Sequence, residues 1–307
     1  MRAGADRLRP EWRSLPPRLR ERVRSAIGGD VVADVPAHGG FSACYAGTVQ
    51  TTSGRAFVKA IGPDGHNDSR TFLRREIGVL RTVPAAHAPA VLASVDDEDG
   101  SALVLEVIDG EHPGAPWSEA QLHAVASELS SLAHTTAAEG VPAAEQSMLP
   151  DFARWAGIDR DHGLRSGLPT GLRERMPALQ DLDTQLPHTL AGSTLVHGDL
   201  RADNILIDDG RARLLDWPHA LRGAAWLDLP LLLPSVEASG GPRCEDAWEL
   251  FRTHGAPPMA SLLPVISAFA SFLWWGQAQP EIPELPGLRA FQRAQSVAAL
   301  RWLDAVL

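Results

Sequence analysis

The stretch with the most chemistry in it is "HGDLRADN", residues 197 to 204. It sets Asp199 five positions before Asn204, and Asp216 follows twelve positions later at the end of "RARLLD". Two short β-like runs, "NILID" and "RARLLD", flank a "DDG" turn between them. Asn204 and Asp216 on neighbouring loops offer oxygen donors of the kind a hard cation such as Mg²⁺ prefers. That leaves the Asp199 carboxylate to accept a proton from an attacking hydroxyl. Lys59 is the other residue whose type stands out, as the one lysine beside twenty-seven arginines. It lies in the β-like run "RAFVKAI", where the two-residue period places Phe57, Lys59 and Ile61 on one face. An ammonium seated beside apolar groups is costly unless an anion lies near it.

"LVHGDLRADNILID" followed by "LLDW" resembles the Brenner-type motif of aminoglycoside phosphotransferases and their kinase-fold relatives. It is also similar to the catalytic loop of protein kinases, with Gly198 where those carry arginine. The resemblance implies a small-molecule kinase using ATP (or GTP) and Mg²⁺, with Asp199 as catalytic base and Asn204 and Asp216 holding the metal. It puts Arg201 in the place of the protein-kinase loop lysine, to stabilise charge on the phosphoryl group; a salt-bridge role fits equally. His197 is expected to brace the loop and Asp203 to face solvent. Asp228 resembles the helix-start aspartate that braces the loop in relatives, although an ordinary helix N-terminal charge is the simpler account.

The same resemblance demands a phosphate-covering loop, a strand lysine and a helix glutamate from the first part of the chain. In "AHGGFSACYAGTV" the loop is expected at Gly39, Gly40, Phe41 and Ser42, where backbone N–H groups would approach a triphosphate; plain hairpin geometry explains the glycines almost as well. Lys59 would hold the α- and β-phosphates, oriented by Glu76, seventeen positions further on. "LVLEVIDG" falls where such folds join their lobes, so the carbonyl of Glu106 and the N–H of Ile108 would meet the adenine edge, and a one-residue slip would change both names. "DWP" stands where protein kinases have DFG, and no A-P-E segment follows. This favours a small-molecule acceptor over a protein, with Trp217 and Pro218 stiffening the metal loop.

Several elements must position these residues. "PPRLRERVRSAIGG" reads as a helix, opened by prolines and closed by a glycine pair. Five β-like runs follow, and between the third and fourth lies "DSRTFLRREIGVLRTV", with apolar residues at helical spacing and Asp68 or Ser69 as cap. From "WSEAQLHAVASELSSL" onward the periodicity is helical, apart from the catalytic stretch itself. The expected class is α+β, a bilobal protein-kinase-like fold. Residues 1–108 make a five-stranded antiparallel sheet with one inserted helix, 109–116 a hinge, and 117–307 a mainly helical lobe with the catalytic loops and acceptor site.

Composition narrows the partners. The net charge is −10 over 307 residues, and 44% of residues are hydrophobic, as in ordinary folded enzymes. No run of eighteen apolar residues is found, which argues against a transmembrane helix, and the two cysteines, Cys44 and Cys244, lack a CxxC spacing. A reducing cytoplasm and no membrane partner are therefore expected. The eight arginines of residues 1–30 have a single aromatic, Trp12, among them, so a solvated helical arm is expected, not a nucleic-acid site. Residues 90–200 hold eighteen acids against five arginines, and Asp151, Asp159, Asp161, Asp181 and Asp183 are candidates for binding a cationic acceptor. Trp274 and Trp275 are candidates for stacking on a ring, with helix packing as the plainer account. Choline-, homoserine- and fructosamine-type kinases share this architecture, and a nucleotide-binding pseudokinase and a protein kinase are the other classes to weigh. Monomer and dimer are both compatible with the sequence.

Overall fold

The β-like runs of the first hundred residues form one antiparallel sheet. In the computed structural model, which describes residues 9–37, 42–283 and 285–307, its strands are β1 (Val31–Pro36), β2 (Tyr45–Thr51), β3 (Arg55–Ile61), β4 (Val91–Asp97) and β5 (Gly100–Leu105). Their order across the sheet is β1-β2-β3-β5-β4, so the lysine strand is central, with Lys59 opposite Ala46 on one side and Leu103 on the other. Helix α1 (Pro17–Ile27) packs on one sheet face, and α2 (Asn67–Leu80) lies between β3 and β4 in the chain. These elements belong to one compact unit, Met1–Gly110 with Arg213–His219 and Ile282–Pro286.

The arginine-rich N-terminus differs from the solvated arm expected of it. Leu19 and Val23, four positions apart, form an apolar stripe on α1 that is fully buried against Ala56, Val58 and Ala60 of β3 and Val104 of β5. The alanines allow the helix to approach closely, and each buried aliphatic side chain contributes about 1.5–3 kcal/mol. The arginines occupy the other faces, Arg22 pairing with Asp97 at 2.6 Å. Since α1 takes the Ala56-Val58-Ala60 face, Lys59 is left to point to the opposite one. The cap of α2 also differs from expectation. The helix starts at Asn67, and the His66 side chain accepts the Ser69 N–H at 3.4 Å.

The second unit, Glu111–Ala212 with Ala220–Glu281 and Gly287–Leu307, is mainly helical. After α3 (Glu119–Leu132) come five short helices: α4 (Ala144–Ser147), α5 (Leu149–Phe152), α6 (Trp155–Arg160), α7 (His162–Gly167) and α8 (Thr170–Glu174). The longer α9 (Met176–Leu190) follows, and α10 (Asp228–Ala238), α11 (Cys244–Arg252), α12 (Met259–Gly276) and α13 (Leu288–Val306) close the chain. A core of Leu186, Leu190, Val196, Leu227, Leu231 and Val265 includes the residue that immediately precedes His197. Helix α12 has eighteen residues with mean hydropathy 1.5, long and apolar enough to cross a membrane; 61% of it is buried inside the protein. Arg301 of α13 bonds Glu237 of α10 and Glu245 of α11, tying three helices together.

The catalytic stretch runs through β6 (Thr194–Val196), β7 (Ile205–Asp208) and β8 (Arg211–Leu214). Strand β6 pairs antiparallel with β9 (Leu221–Gly223), while β7 and β8 pair with each other. Asp209 (φ 46°) and Gly210 (φ 72°) both turn left-handed in the two-residue loop, the geometry that lets a tight hairpin follow the natural strand twist. The "DDG" turn is thus where the sequence places it.

Candidate active site

The loop of residues 197–204 joins β6 to β7 and is anchored on Asp228. Gly198 has φ 79°, a conformation open to glycine at little cost, and its N–H donates to Asp228 Oδ1 at 2.9 Å. The neighbouring His197 N–H donates to Asp228 Oδ2 at 2.8 Å. Asp228 opens α10 and is 5% exposed. It is therefore a brace for the loop, the reading implied by the resemblance over that of a plain helix charge. Burial pushes its carboxyl up to about 6, against the pull of the two N–H groups. The fully buried His197 presents Nδ1 to the Asp199 N–H at 3.4 Å, in keeping with its expected bracing part.

Asp199 does not stand alone. Arg201 Nη1 reaches both of its carboxylate oxygens, at 3.1 and 2.9 Å. Arg201 Nε also donates to Asp203 Oδ1 at 3.0 Å, and the guanidinium lies 5.3 Å over the Phe291 ring of α13. Asp203, expected in solvent, is thus an ion-pair partner with 36% of its side chain exposed. The Asn204 Nδ2 group donates to the Asp199 carbonyl at 2.8 Å, so the amide turns its oxygen away from that bond. The loop thereby carries a carboxylate, a guanidinium and an oriented amide oxygen within six residues.

In the other unit, Lys59 sits where its sequence position implies. Its Nζ donates to Glu76 Oε1 and Oε2 at 2.6 and 2.7 Å and to Asp216 Oδ1 at 2.8 Å. Burial alone would lower the lysine's proton affinity, but the two carboxylates outweigh it and Lys59 stays charged. Burial pushes the Glu76 carboxyl upward, against the pull of the Lys59 ammonium. Asp216 adopts φ 66°, strained for a residue with a Cβ and costing of order 1 kcal/mol or more. The following Trp217 is fully buried; its N–H meets Glu76 Oε1 at 3.3 Å and its indole N–H the Leu214 carbonyl at 3.0 Å. Packing of Trp217 thus holds Asp216 in its unusual backbone conformation. The Asn204 amide in one unit and the Asp216 carboxylate in the other each offer a hard oxygen donor of the kind a divalent cation such as Mg²⁺ prefers.

Residues 106 to 110 follow β5 without secondary structure. Glu106 donates its N–H to the Ala90 carbonyl at 2.9 Å. Among the described residues, its own carbonyl and the Ile108 N–H have no backbone partner, which leaves them for an external edge. Of the expected phosphate loop, Gly39, Gly40 and Phe41 lie outside the described residues. Ser42 is described, with its hydroxyl 2.9 Å from Cys44 Sγ.

A match to the phosphotransferase enzyme family (APH) covers residues 36–263, most of the chain and every site residue named above except Phe291. The chain belongs to this family. Solved structures agree in fold. A choline/ethanolamine kinase family protein from Mesorhizobium loti shares 15% identity and superposes with TM-score 0.57, covering 93% of this chain and 94% of its own. An aminoglycoside phosphotransferase from Streptomyces rimosus, solved with ADP and streptomycin, shares 20% identity with TM-score 0.54, covering 80% and 94%. An amicoumacin kinase solved with AMP-PNP and Ca²⁺ shares 14% identity with TM-score 0.51, covering 92% and 93%. Among curated proteins, no sequence matches at a significant level. The protein is thus an enzyme of the small-molecule phosphotransferase type with a protein-kinase-like fold.

The acidic candidates for an acceptor site are largely engaged within the chain. Asp151 pairs with Arg154 and Asp159 with Arg165, each at 2.8 Å, while Asp161 caps α7 through the Leu164 N–H. Asp181 is exposed. Asp183 is the exception. Burial raises its carboxyl to about 7, its Oδ2 accepts the Trp155 N–H at 3.3 Å, and its buried Oδ1 has no partner among the described residues. A cavity of about 530 Å³ beside these helices mixes Asp159 and Glu174 with Arg165 and Arg173, so its lining is close to charge balance. Trp274 donates its indole N–H to the Leu164 carbonyl, and Trp275 lies 4.4 Å beneath the Arg154 guanidinium. Both tryptophans are half-buried and in use for helix packing. Sequence reasoning missed two contacts: the Phe291–Arg201 stack, and an Arg213–Glu106 ion pair at 2.8 Å.

Proposed function

We propose that the protein is an ATP- and Mg²⁺-dependent O-phosphotransferase acting on a hydroxyl of a small molecule, with antibiotics the first class to test. The observation that carries this reading is the Lys59 ammonium held between Glu76 and Asp216, a preformed cationic point for nucleotide phosphates. Asn204 and Asp216 would hold the Mg²⁺ ion, which supplies positive charge against the phosphates. Asp199 accepts the proton of the acceptor hydroxyl as the new O–P bond to the γ-phosphorus forms and the bond to the bridging oxygen of ADP breaks. The carbonyl of Glu106 and the N–H of Ile108 receive the adenine edge. Arg201, already beside Asp199, supplies charge near the reacting group. Such catalysis consists mainly of positioning and charge stabilisation.

A second reading, a metabolic kinase with a neutral or singly charged acceptor, is favoured by the arginine pairing of Asp151 and Asp159. A polycationic aminoglycoside would find those acids already neutralised. Transfer of labelled γ-phosphate across a panel of antibiotics and hydroxylated metabolites tests both readings. Acceptor-dependent ADP release supports the kinase. Tight, metal-dependent ATP binding without transfer to any acceptor would instead point to a nucleotide-binding module.

A further inference from the structure

Arg213 has no part in the site derived above, yet it joins two of its segments. It lies in β8, three residues before Asp216. Its Nη2 donates to Glu106 Oε1 at 2.8 Å and to the Ala88 carbonyl at 3.2 Å. The same Glu106 oxygen accepts the Ala90 N–H at 3.1 Å, and the Leu214 N–H donates to the His87 carbonyl at 3.3 Å. Strand β8 is thus stitched to residues 87–90 and to Glu106, immediately ahead of the unpartnered Ile108 N–H. From Leu214 the connection continues through the Trp217 indole and the Trp217 N–H to Glu76 and Lys59. The Arg213 side chain is 23% exposed and, among the described residues, its buried Nε has no partner, a cost that a merely decorative surface pair would not carry. Both bonds come from the one Nη2 nitrogen, whose two N–H groups are fixed in the guanidinium plane, whereas an ammonium on a flexible stem holds no such fixed pair.

We propose that Arg213 is a positioning residue for the nucleotide, resting on the ATP reading above. It fixes the 106–108 segment against the strand that leads into Asp216, so that one contact sets the place of both the base and the phosphate end. The Glu106 carboxylate is consumed in this task, and base recognition falls to the backbone carbonyl and N–H alone. That pair complements the donor–acceptor edge of adenine. Guanine, with an acceptor in place of the amino group, would set oxygen against oxygen. Loosening the segment therefore weakens ATP binding and erodes discrimination against GTP, leaving acceptor handling untouched.

The test is steady-state kinetics and direct ATP binding for the wild type, R213A, R213K and E106Q, with ATP and with GTP. The expected result for R213A is a KM for ATP raised about tenfold, kcat within threefold, an unchanged acceptor KM and a smaller ATP:GTP preference. R213K should recover part of the loss, and R213A/E106Q should be no worse than R213A, since both act through one contact. A purely structural ion pair would lower the active fraction and so reduce kcat equally for both nucleotides. That pattern, an ATP KM within twofold of wild type, or additive losses in the double variant overturns the proposal. If R213A fails to fold, R213K and E106Q carry the same comparison. Wild-type protein that binds no ATP would refute the nucleotide reading itself, and this inference with it. Wild-type binding left intact in all three variants would refute this inference alone.

Discussion

Replacing Lys59 separates the charge at this position from its shape. The side chain is 14% exposed and Glu76 only 3%, and the ammonium makes three charge-assisted bonds of 2.6 to 2.8 Å. Lys59→Ala leaves Glu76 buried with no counter-charge and with Asp216 close by, a change that costs about 3–5 kcal/mol when a buried pair loses one partner. Part of that is relieved if Glu76 takes up a proton, since burial already pushes its carboxyl upward. With the lysine gone, the folded-state affinity of Glu76 for a proton exceeds its unfolded value. The folded variant then gains stability relative to wild type as pH falls, and the deficit should shrink from about pH 8 to about pH 5. Adding Glu76→Gln removes the stranded charge and should restore at least about 1.5 kcal/mol to Lys59→Ala. Lys59→Arg keeps the charge, so stability should stay within about 1 kcal/mol of wild type. Its broad planar head fits poorly between a carboxylate and two phosphates, so turnover should fall at least about tenfold. Urea unfolding followed by circular dichroism and by fluorescence gives the stabilities, and γ-phosphate transfer gives the rates. The reasoning fails if Lys59→Ala lies within about 0.5 kcal/mol of wild type at both pH values. An arginine variant with wild-type turnover would make the lone lysine a relic of an arginine-rich composition.

Two further expectations follow from the same geometry. Asp228, raised to about 6, holds a proton in the folded protein that the unfolded chain has released above about pH 4, so its contribution to stability falls as pH rises across that window and is constant above it. The stability gap between wild type and Asp228→Asn, measured in urea, should therefore narrow by up to about 3 kcal/mol from pH 4 to pH 6; a gap that widens there contradicts the assignment. Arg301→Met should destabilise the helical unit by about 1–3 kcal/mol, discounted for partial exposure, because Glu237 and Glu245 then face each other unneutralised. The KM for ATP should not change, and a matching rise in KM would give Arg301 a part in the site that its position does not.

The sequence carried those parts of the site whose determinants are local. The spacing of Asp199, Asn204 and Asp216 around a "DDG" hairpin survives unchanged because a two-residue turn with both φ positive admits few alternatives. Lys59 and Glu76 lie on adjacent elements, and a buried ammonium has little choice but to meet a carboxylate. What stayed hidden depends on contacts between distant positions. Asp228 looks like any helix-opening acid until its two oxygens are seen on the His197 and Gly198 N–H groups, thirty residues away. Arg213 is 107 residues from Glu106, and nothing in "RARLLD" marks it out. The arginines of α1 masked Leu19 and Val23, whose four-residue spacing was the available signal for docking. The excess of acids in residues 90–200 suggested a cationic acceptor, but charge counts cannot show that Arg154 and Arg165 already pair with Asp151 and Asp159.

We assign Asp199 to the transfer step and the holding of the nucleotide to other residues. Asp199→Ala, assayed side by side for γ-phosphate transfer and for ATP binding by calorimetry, tests this assignment most directly. The account predicts turnover reduced by at least about a thousandfold, with the ATP dissociation constant within about threefold of wild type. Equal losses of binding and turnover, or turnover that survives the substitution, would contradict it.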